Sequence, residues 1–321
     1  MLRYLARRLI QMIPLIFGVT LLSFIVIQLS PGDFLAEIRL NPVVSGETVD
    51  AMRRNFGLDQ PLFIQYAKWL WRLLHLDFGF SFAYHVPVTW LIGSRLVNTL
   101  ILNIAALVIA WLLAIPIGIH AATRQYSVSD NALSLTAYLG ISTPSFFSGL
   151  LLLFVAFKTG WLPIGGMTSL DYDILPWYGK ILDVGRHLVI PASVLGFGAA
   201  AGLMRQMRGN LLEVLRQDYV RTARSKGLAE RPVIYKHAVR NAINPLITLF
   251  GFEIGGLLGG AAILENVVGW PGLGRLILEA VVQKDLYVVM GSLVIGSFTL
   301  VLGNLIADIL LALSDPRIRY D

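Results

Sequence analysis

Gln217–Pro245 reads QDYVRTARSKGLAERPVIYKHAVRNAINP, the most charged run in a very apolar chain. Two short helical blocks meet at Gly227, and hydrophobic segments flank the run on both sides. Asn210–Lys226 has the pattern of an amphipathic helix. Leu211, Leu212, Leu215, Tyr219 and Ala223 recur at helical intervals, with charge on the other faces. Gly227 suits the position after it, because glycine adopts a positive φ without a Cβ clash. A second block, Glu230–Arg240, carries Pro232 in its first turn, where the missing N–H costs nothing. Asn244-Pro245 ends it. The pattern predicts helix, tight turn, helix. A solvated loop anchored to lipid headgroups accounts for the charge, but not for the aliphatic stripe or the glycine turn.

Around this run the chain is 56% hydrophobic and 14% charged over 321 residues, with a mean hydropathy of +0.68. Soluble domains are nearer a quarter charged. The balance is that of a polytopic membrane protein, with room for about six spans of roughly 20 residues and their loops. The net charge of +6 then reports topology, since Lys and Arg collect on the cytoplasmic side. It argues against a nucleic-acid partner. The chain has no cysteine, which excludes disulfides, thiolate metal sites and cysteine nucleophiles.

The spans follow in order. Arg3, Arg7 and Arg8 precede an apolar run at Leu9–Leu29, too long for a signal-peptide core and without a small-residue cleavage site, so it reads as an uncleaved first span with the amino terminus inside. Phe34–Arg95 balances acids and bases and reads as an outer section with two helical pieces, Thr48–Phe56 and Gln65–Leu76. Trp69 and Trp71 of the second suit a membrane interface. The section is either an ordered cap or part of a docking face for an external partner.

Thr99–His120 is the second span, and Leu133–Phe157 the third, interrupted at Ser142-Thr-Pro-Ser145. Such a break is either a packed kink whose hydroxyls bond the preceding turn or part of a pathway, which makes Ser142 and Thr143 pathway candidates. His187–Met207, with Pro191 and the small-residue run Gly196–Gly202, is the fourth span; with no strand before it, that run reads as close helix packing and not as a dinucleotide fingerprint. From Arg205 to Arg240 basic residues outnumber acids about threefold, which places the loop inside. Leu246–Ile263, with Gly255, Gly256, Gly259 and Gly260, is the fifth span, Glu265–Leu286 lies outside, and Val288–Leu313 is the sixth.

The expected architecture is all-α, with about six transmembrane helices and both termini cytoplasmic. Residues 1–95 hold the first span and outer cap, 96–313 the membrane core with its loop at 208–245, and 314–321 a short inner tail. Glu253 and Asp308 are ionisable groups within spans and hence candidates for the pathway, though Asp308, near the inner end of its helix, also suits a structural pairing. No G-x-x-x-x-G-K-[ST], H-E-x-x-H or G-x-S-x-G occurs, so the chain lacks its own ATP-hydrolysing, zinc-protease and serine-hydrolase motifs. The five histidines pair with no carboxylate at metal-ligand spacing.

Gln217–Pro245 resembles the coupling loop of ABC importer membrane subunits, in the form used by the dipeptide, oligopeptide and nickel permease family. The general motif reads E-A-A-x3-G-x9-I-x-L-P. Its alanine falls at Ala223 and its glycine at Gly227. Arg221 and Thr222 replace its opening Glu and Ala, His237-Ala-Val-Arg240 replaces its I-x-L-P, and the proline comes later, at Pro245. These departures match the peptide branch, roughly D-Y-[IV]-R-T-A-R-A-K-G-L followed by H-A-L-R-N-A-x-x-P. The resemblance covers nearly the whole chain. It includes Pro31-Gly-Asp33, Gly57-Leu-Asp-Gln-Pro-Leu62, Leu76-Asp-Phe-Gly-Phe-Ser81, Trp161-Leu-Pro163, Pro271-Gly-Leu-Gly274 and Asp315-Pro-Arg-Ile-Arg319.

The resemblance implies a type I ABC importer fold and a permease that binds no cofactor of its own and is not an enzyme. It implies a second, similar permease subunit, two cytoplasmic ATPase subunits that bind ATP and magnesium, and an extracytoplasmic binding protein. Ala223, Gly227 and Leu228 would form the knob received by an ATPase subunit, supported by Tyr219, Arg224, Lys226 and His237. The implied cargo is a di- or oligopeptide, with nickel complexes, glutathione and opines as the family's other cargoes. Two other classes remain: an intramembrane enzyme using Asp308 or Glu253, for which no second catalytic group is evident, and an ion-driven transporter, which leaves the basic loop without a purpose.

Overall fold

A computed structural model describes residues 2–29, 45–55, 57–256 and 262–314. The described residues form helices and turns, with one isolated bridge between Phe80 and Pro87. The helices are α1 (Leu2–Leu29), α2 (Gly46–Asn55), α3 (Leu62–Leu74), α4 (Val88–Thr123), α5 (Val128–Ser142), α6 (Ser145–Thr159), α7 (Trp177–Val214), α8 (Asp218–Ser225), α9 (Asn244–Gly256), α10 (Ala262–Val267), α11 (Leu273–Val282) and α12 (Leu286–Ser314). Pro31–Asp33, Gly259, Gly260 and the tail from Asp315 lie outside the described residues.

Among the described residues three helices are long and apolar enough to cross a membrane: Val88–Thr123, Trp177–Val214 and Leu286–Ile306. The pair α5 and α6 makes a fourth if it is one broken span. The two 15-residue helices turn by 103° at the break. Each is only about 22 Å long, short of the roughly 30 Å hydrocarbon core. The sequence pattern predicted one interrupted span here, and the bend is far sharper than a kink. Thr143 is extended, as the residue before a proline prefers, and its hydroxyl donates to the Leu139 carbonyl at 2.7 Å. Apolar Ile13–Val26 in α1 and the 13 residues of α9 are shorter.

The central unit is the pair α4 and α7. Ala106, Ala110, Ala114 and Gly118 recur every fourth residue on α4, and all are buried. A Cβ on Gly118 would come within 2.9 Å of the Met204 carbonyl, and one on Gly196 within 2.7 Å of the Ile109 side chain. Small residues thus let the two backbones approach, which is how helices associate without a hydrophobic drive between them. Of the three glycines in the run Gly196–Gly202 only Gly196 has this role, because Gly198 and Gly202 face open space, while Ala200 packs in one cluster with Ala110 and Ala114.

The N-terminal end of α4 is locked by two fully buried carboxylates. Glu265 on α10 accepts from the Thr99 hydroxyl at 2.9 Å and from the Arg275 N–H at 2.9 Å. The Thr99 oxygen accepts in turn from the Leu273 N–H at 2.7 Å, so the start of α11 is capped through this cluster. Gly272 must be glycine, since a Cβ there would collide with the Glu265 carboxylate. Asp285 accepts from the Ser81 hydroxyl at 2.6 Å and the Ala83 N–H at 3.0 Å, while its other oxygen faces the Val288 N–H at 3.3 Å at the start of α12. These contacts give Gly272, Leu273 and Ser81 a structural role at this end.

α3 packs at the same end. Tyr66 and Trp69 are buried against Phe24 of α1, and the Tyr66 hydroxyl lies 2.9 Å from that of Thr20. Trp69 is 2% exposed, so the expectation that it sits at the membrane interface is corrected. Trp71, 66% exposed, keeps that position open.

Candidate functional site

The basic loop sits at the C-terminal end of α4. α7 runs on to Val214, further than the predicted span, and the chain bends at 215–217 before α8. The continuous helix expected over Asn210–Lys226 is therefore two helices. Gln217 is extended and Asp218 opens α8, where a carboxylate favours the exposed N–H groups. Gly227 follows with φ +76°, and its N–H donates to the Arg224 carbonyl at 2.9 Å. The predicted glycine turn is present. The second block is helical at Glu230–Pro232, widens to a π-helix over Val233–Val239, and closes at Arg240–Ala242. A helix with i→i+5 hydrogen bonds carries residues five apart on nearly one face. Val233 and Ala238, five apart, are both fully buried.

The loop has its own small core. Val220 and Ala223 of α8 meet Val233, Ala238 and Ala242, and behind them Met207 and Leu211 of α7, Ile119 and Ala122 of α4, and Leu246 of α9. The sequence pattern puts Leu211, Leu212, Leu215, Tyr219 and Ala223 on the stripe, and Leu212 and Leu215 pack half-buried against this core. The structure keeps Leu211 and Ala223 in it, leaves Tyr219 43% exposed, and adds Val220 and Val233. Ala223 is 7% exposed and holds the knob together from within; Gly227 and Leu228 are on its surface, Leu228 being 45% exposed.

Polar contacts fix the knob's shape. Arg224 donates to both Glu230 oxygens, at 2.7 and 3.2 Å, and so closes the turn across Gly227. The Arg224 guanidinium holds the Glu230 carboxyl below the usual glutamate range. Asn241 donates to the Tyr219 hydroxyl at 2.9 Å and to the His237 carbonyl at 3.1 Å. Lys226 is exposed at the turn. Beside the loop, Arg208 of α7 grips buried Asp130 of α5 through two 2.8 Å contacts. Sequence reading missed this pair, whose members are 78 residues apart.

The pathway candidates are not brought together. Thr143 lines an apolar cavity of about 390 Å³ with Leu113, Thr136, Ser148, Phe197 and Met204. Ser142 is exposed and lies outside that lining. Glu253 stands elsewhere, accepting from the Trp111 indole N–H at 2.9 Å while Phe250 packs edge-on against that ring. Asp308 is on α12, but its side chain is outside the described ones.

Residues 114–320 match the family model described as binding-protein-dependent transport system inner membrane component, and residues 1–103 match the model for the N-terminal part of such components. The chain belongs to this family. Over 319 residues, 99% of both chains, it is 40% identical to the oligopeptide transport system permease protein AppB of Bacillus subtilis. Over 338 residues, 100% of this chain and 99% of the relative, it is 37% identical to the di/tripeptide transport system permease protein DppB of Pseudomonas aeruginosa. The chain is thus a membrane component of a transport system that works with a binding protein.

Proposed function

We propose that this chain is a permease subunit of an ATP-driven importer that carries di- or oligopeptides across the cytoplasmic membrane. The observation that carries the reading is the end-to-end similarity to permeases named for oligopeptide and di/tripeptide transport. In this reading α1 and α9 complete six spans with the three long helices and the bent pair. Both termini and the basic knob face the cytoplasm, as the excess of Lys and Arg favours. The subunit pairs with a second permease of the same kind, two ATPase subunits engage the pair from the cytoplasm, and a binding protein delivers peptide to the outer end.

The knob transmits force in this account. ATP binding favours a closed ATPase pair, and a ligand shifts a conformational equilibrium only through its differential affinity for the two states. The shift reaches the spans if the element between them moves as one body. The core shared by α8, the π-helical segment and the inner ends of α4, α7 and α9 supports that role. Exposed Leu228, Lys226 and Gly227 provide the surface, and Arg224, Tyr219, Ala223 and His237 hold its form.

Gly227→Pro tests the reading. Proline fixes φ near −65° and has no N–H, so it can keep neither the +76° turn nor the bond to Arg224. The variant is expected to insert and assemble normally yet lose uptake of a labelled dipeptide. Uptake at the wild-type rate would overturn the coupling role.

A further inference from the structure

At the outer end, α3, the turn after α2 and the first turn of α12 enclose a cavity of about 130 Å³. Arg54, Lys68 and Arg72 line it with Gln60, Gln65 and Trp69. No acid among the described residues lines it. The acids nearest in sequence to the lining are Asp59, Asp285, Asp50 and Asp77; Asp285 is taken up by the Ser81 hydroxyl and the Ala83 N–H, and Asp77 faces the Gly79 N–H at 2.9 Å. All three cations are exposed, so solvent screens their mutual repulsion, and an anion placed among them is attracted to all three.

Unmet hydrogen bonds point the same way. Trp69 is 2% exposed, and its indole N–H has no partner among the described residues. The Gln60 and Gln65 side-chain oxygens are likewise buried and unpartnered. The Gln65 amide cannot simply be turned around, because its NH2 already donates to the Gln60 carbonyl at 2.8 Å. The site therefore offers cations and a buried N–H to an acceptor-rich anion, and two amide oxygens to a donor beside it. Buried polar groups are normally paired, so this unpaired set on residues of one cavity calls for a partner that the described chain does not supply. A carboxylate supplies one charge and no donor. A phosphate ester bearing hydroxyls supplies several acceptors, a stronger charge and the donor.

We propose that this cavity binds a hydroxyl-bearing phosphate ester of the glycerol phosphate type. Its position fits a lipid headgroup as the source. The neighbouring face of α3 exposes Phe63, Trp71 and Leu74, the arrangement of a helix lying in the membrane interface. Lys68 and Arg72 on the next face then lie at headgroup level, where anionic lipids are recognised by basic pockets. Free glycerol phosphate has the same chemistry.

The test uses the assembled transporter, with binding of sn-glycerol 3-phosphate measured by calorimetry in detergent. Retention of phosphatidylglycerol is measured in parallel by mass spectrometry, in nanodiscs that mix it with phosphatidylcholine. Lys68→Gln and Arg72→Gln are at exposed positions and leave the fold intact. Each is expected to weaken binding about tenfold, the loss of one charge-assisted hydrogen bond. The 15N resonance of the Trp69 indole, assigned with Trp69→Phe, is expected to shift when the ligand is present. Enrichment of phosphatidylglycerol identifies a lipid headgroup as the source, and binding of glycerol 3-phosphate alone identifies a soluble ester. If neither probe binds, or if both variants bind like the wild type and the indole resonance stays fixed, the proposal is overturned. Binding is read without transport, so its outcome is independent of the peptide assignment.

Discussion

At the N-terminal end of α4 two carboxylates, Glu265 and Asp285, are fully buried, and each is held by backbone and hydroxyl donors from distant parts of the chain. At the C-terminal end the loop rests on Val220, Ala223, Val233 and Ala238, and its own acids, Asp218 and Glu230, are exposed. The helix between them is 36 residues, about 54 Å long. Directional bonds to a buried charge cannot slide without being broken, whereas aliphatic contacts bind without fixing direction. One end is therefore held in register by directional bonds, whereas the loop at the other is held by aliphatic contacts, with buried Asp130 bound to Arg208 of α7 beside it.

Asp285→Ala tests this contrast at its stronger end. It leaves the Ser81 hydroxyl and the Ala83 N–H without their acceptor. The expected loss is about 3 kcal/mol, since each buried orphan costs roughly 1–3 kcal/mol. Thermal unfolding of the solubilised protein measures it, and a cost below about 1 kcal/mol would remove the claim that this end is locked.

Val233→Ala tests the other end. Deleting two methyl groups from the small core should cost about 2 kcal/mol, within the range for truncated core side chains. The damage should stay local, so hydrogen exchange should quicken in residues 218–242 and not around Glu265. Faster exchange at both ends would show that the molecule does not divide this way.

Glu230→Gln should have the smallest effect. The pair with Arg224 is close, at 2.7 Å, but the two side chains are 42% and 57% exposed. Exposed pairs are worth at most about 1 kcal/mol and are screened by salt. Because Arg224 lowers the Glu230 pKa in the folded loop, the pair's contribution is present above the ordinary glutamate pKa and is lost as pH falls through the lowered value. Once the intrinsic pH dependence of amide exchange is divided out, exchange in the loop should thus be steady near neutral pH and rise only in acid. An equal rise in Glu230→Gln would assign the acid sensitivity to another group.

The glycine turn was legible because only a few residues take a positive φ, and Gly227 stands between two amphipathic blocks. The bend at 215–217 was not, since the hydrophobic spacing continues through Leu215 and only packing shows where the helix stops. Val220 and Val233 were hidden for a related reason. Among charged neighbours, a valine at an exposed-looking position carries no mark of burial, and the π-helix that aligns Val233 with Ala238 has no sequence signature here. Glu265 and Asp285 read as outer-loop acids because their partners lie 166 and 204 residues away. The four-residue repeat from Ala106 to Gly118 did not stand out within an apolar span, where small residues mark no partner until α7 is seen against them. The Thr143-Pro144 break was evident, but its 103° angle depends on what α5 and α6 pack against.

The chain has no cysteine, so a single one can be placed at will. Leu228→Cys puts a thiol on the exposed knob, and Leu170→Cys puts one on a fully exposed residue between α6 and α7. Short-reach cross-linking of the assembled transporter measures what each thiol touches. Leu228→Cys should link to an ATPase subunit, with a yield that changes when ATP is bound, and Leu170→Cys should not. A link from Leu170→Cys to the ATPase, or none from Leu228→Cys, would contradict the assignment of the knob as the coupling element.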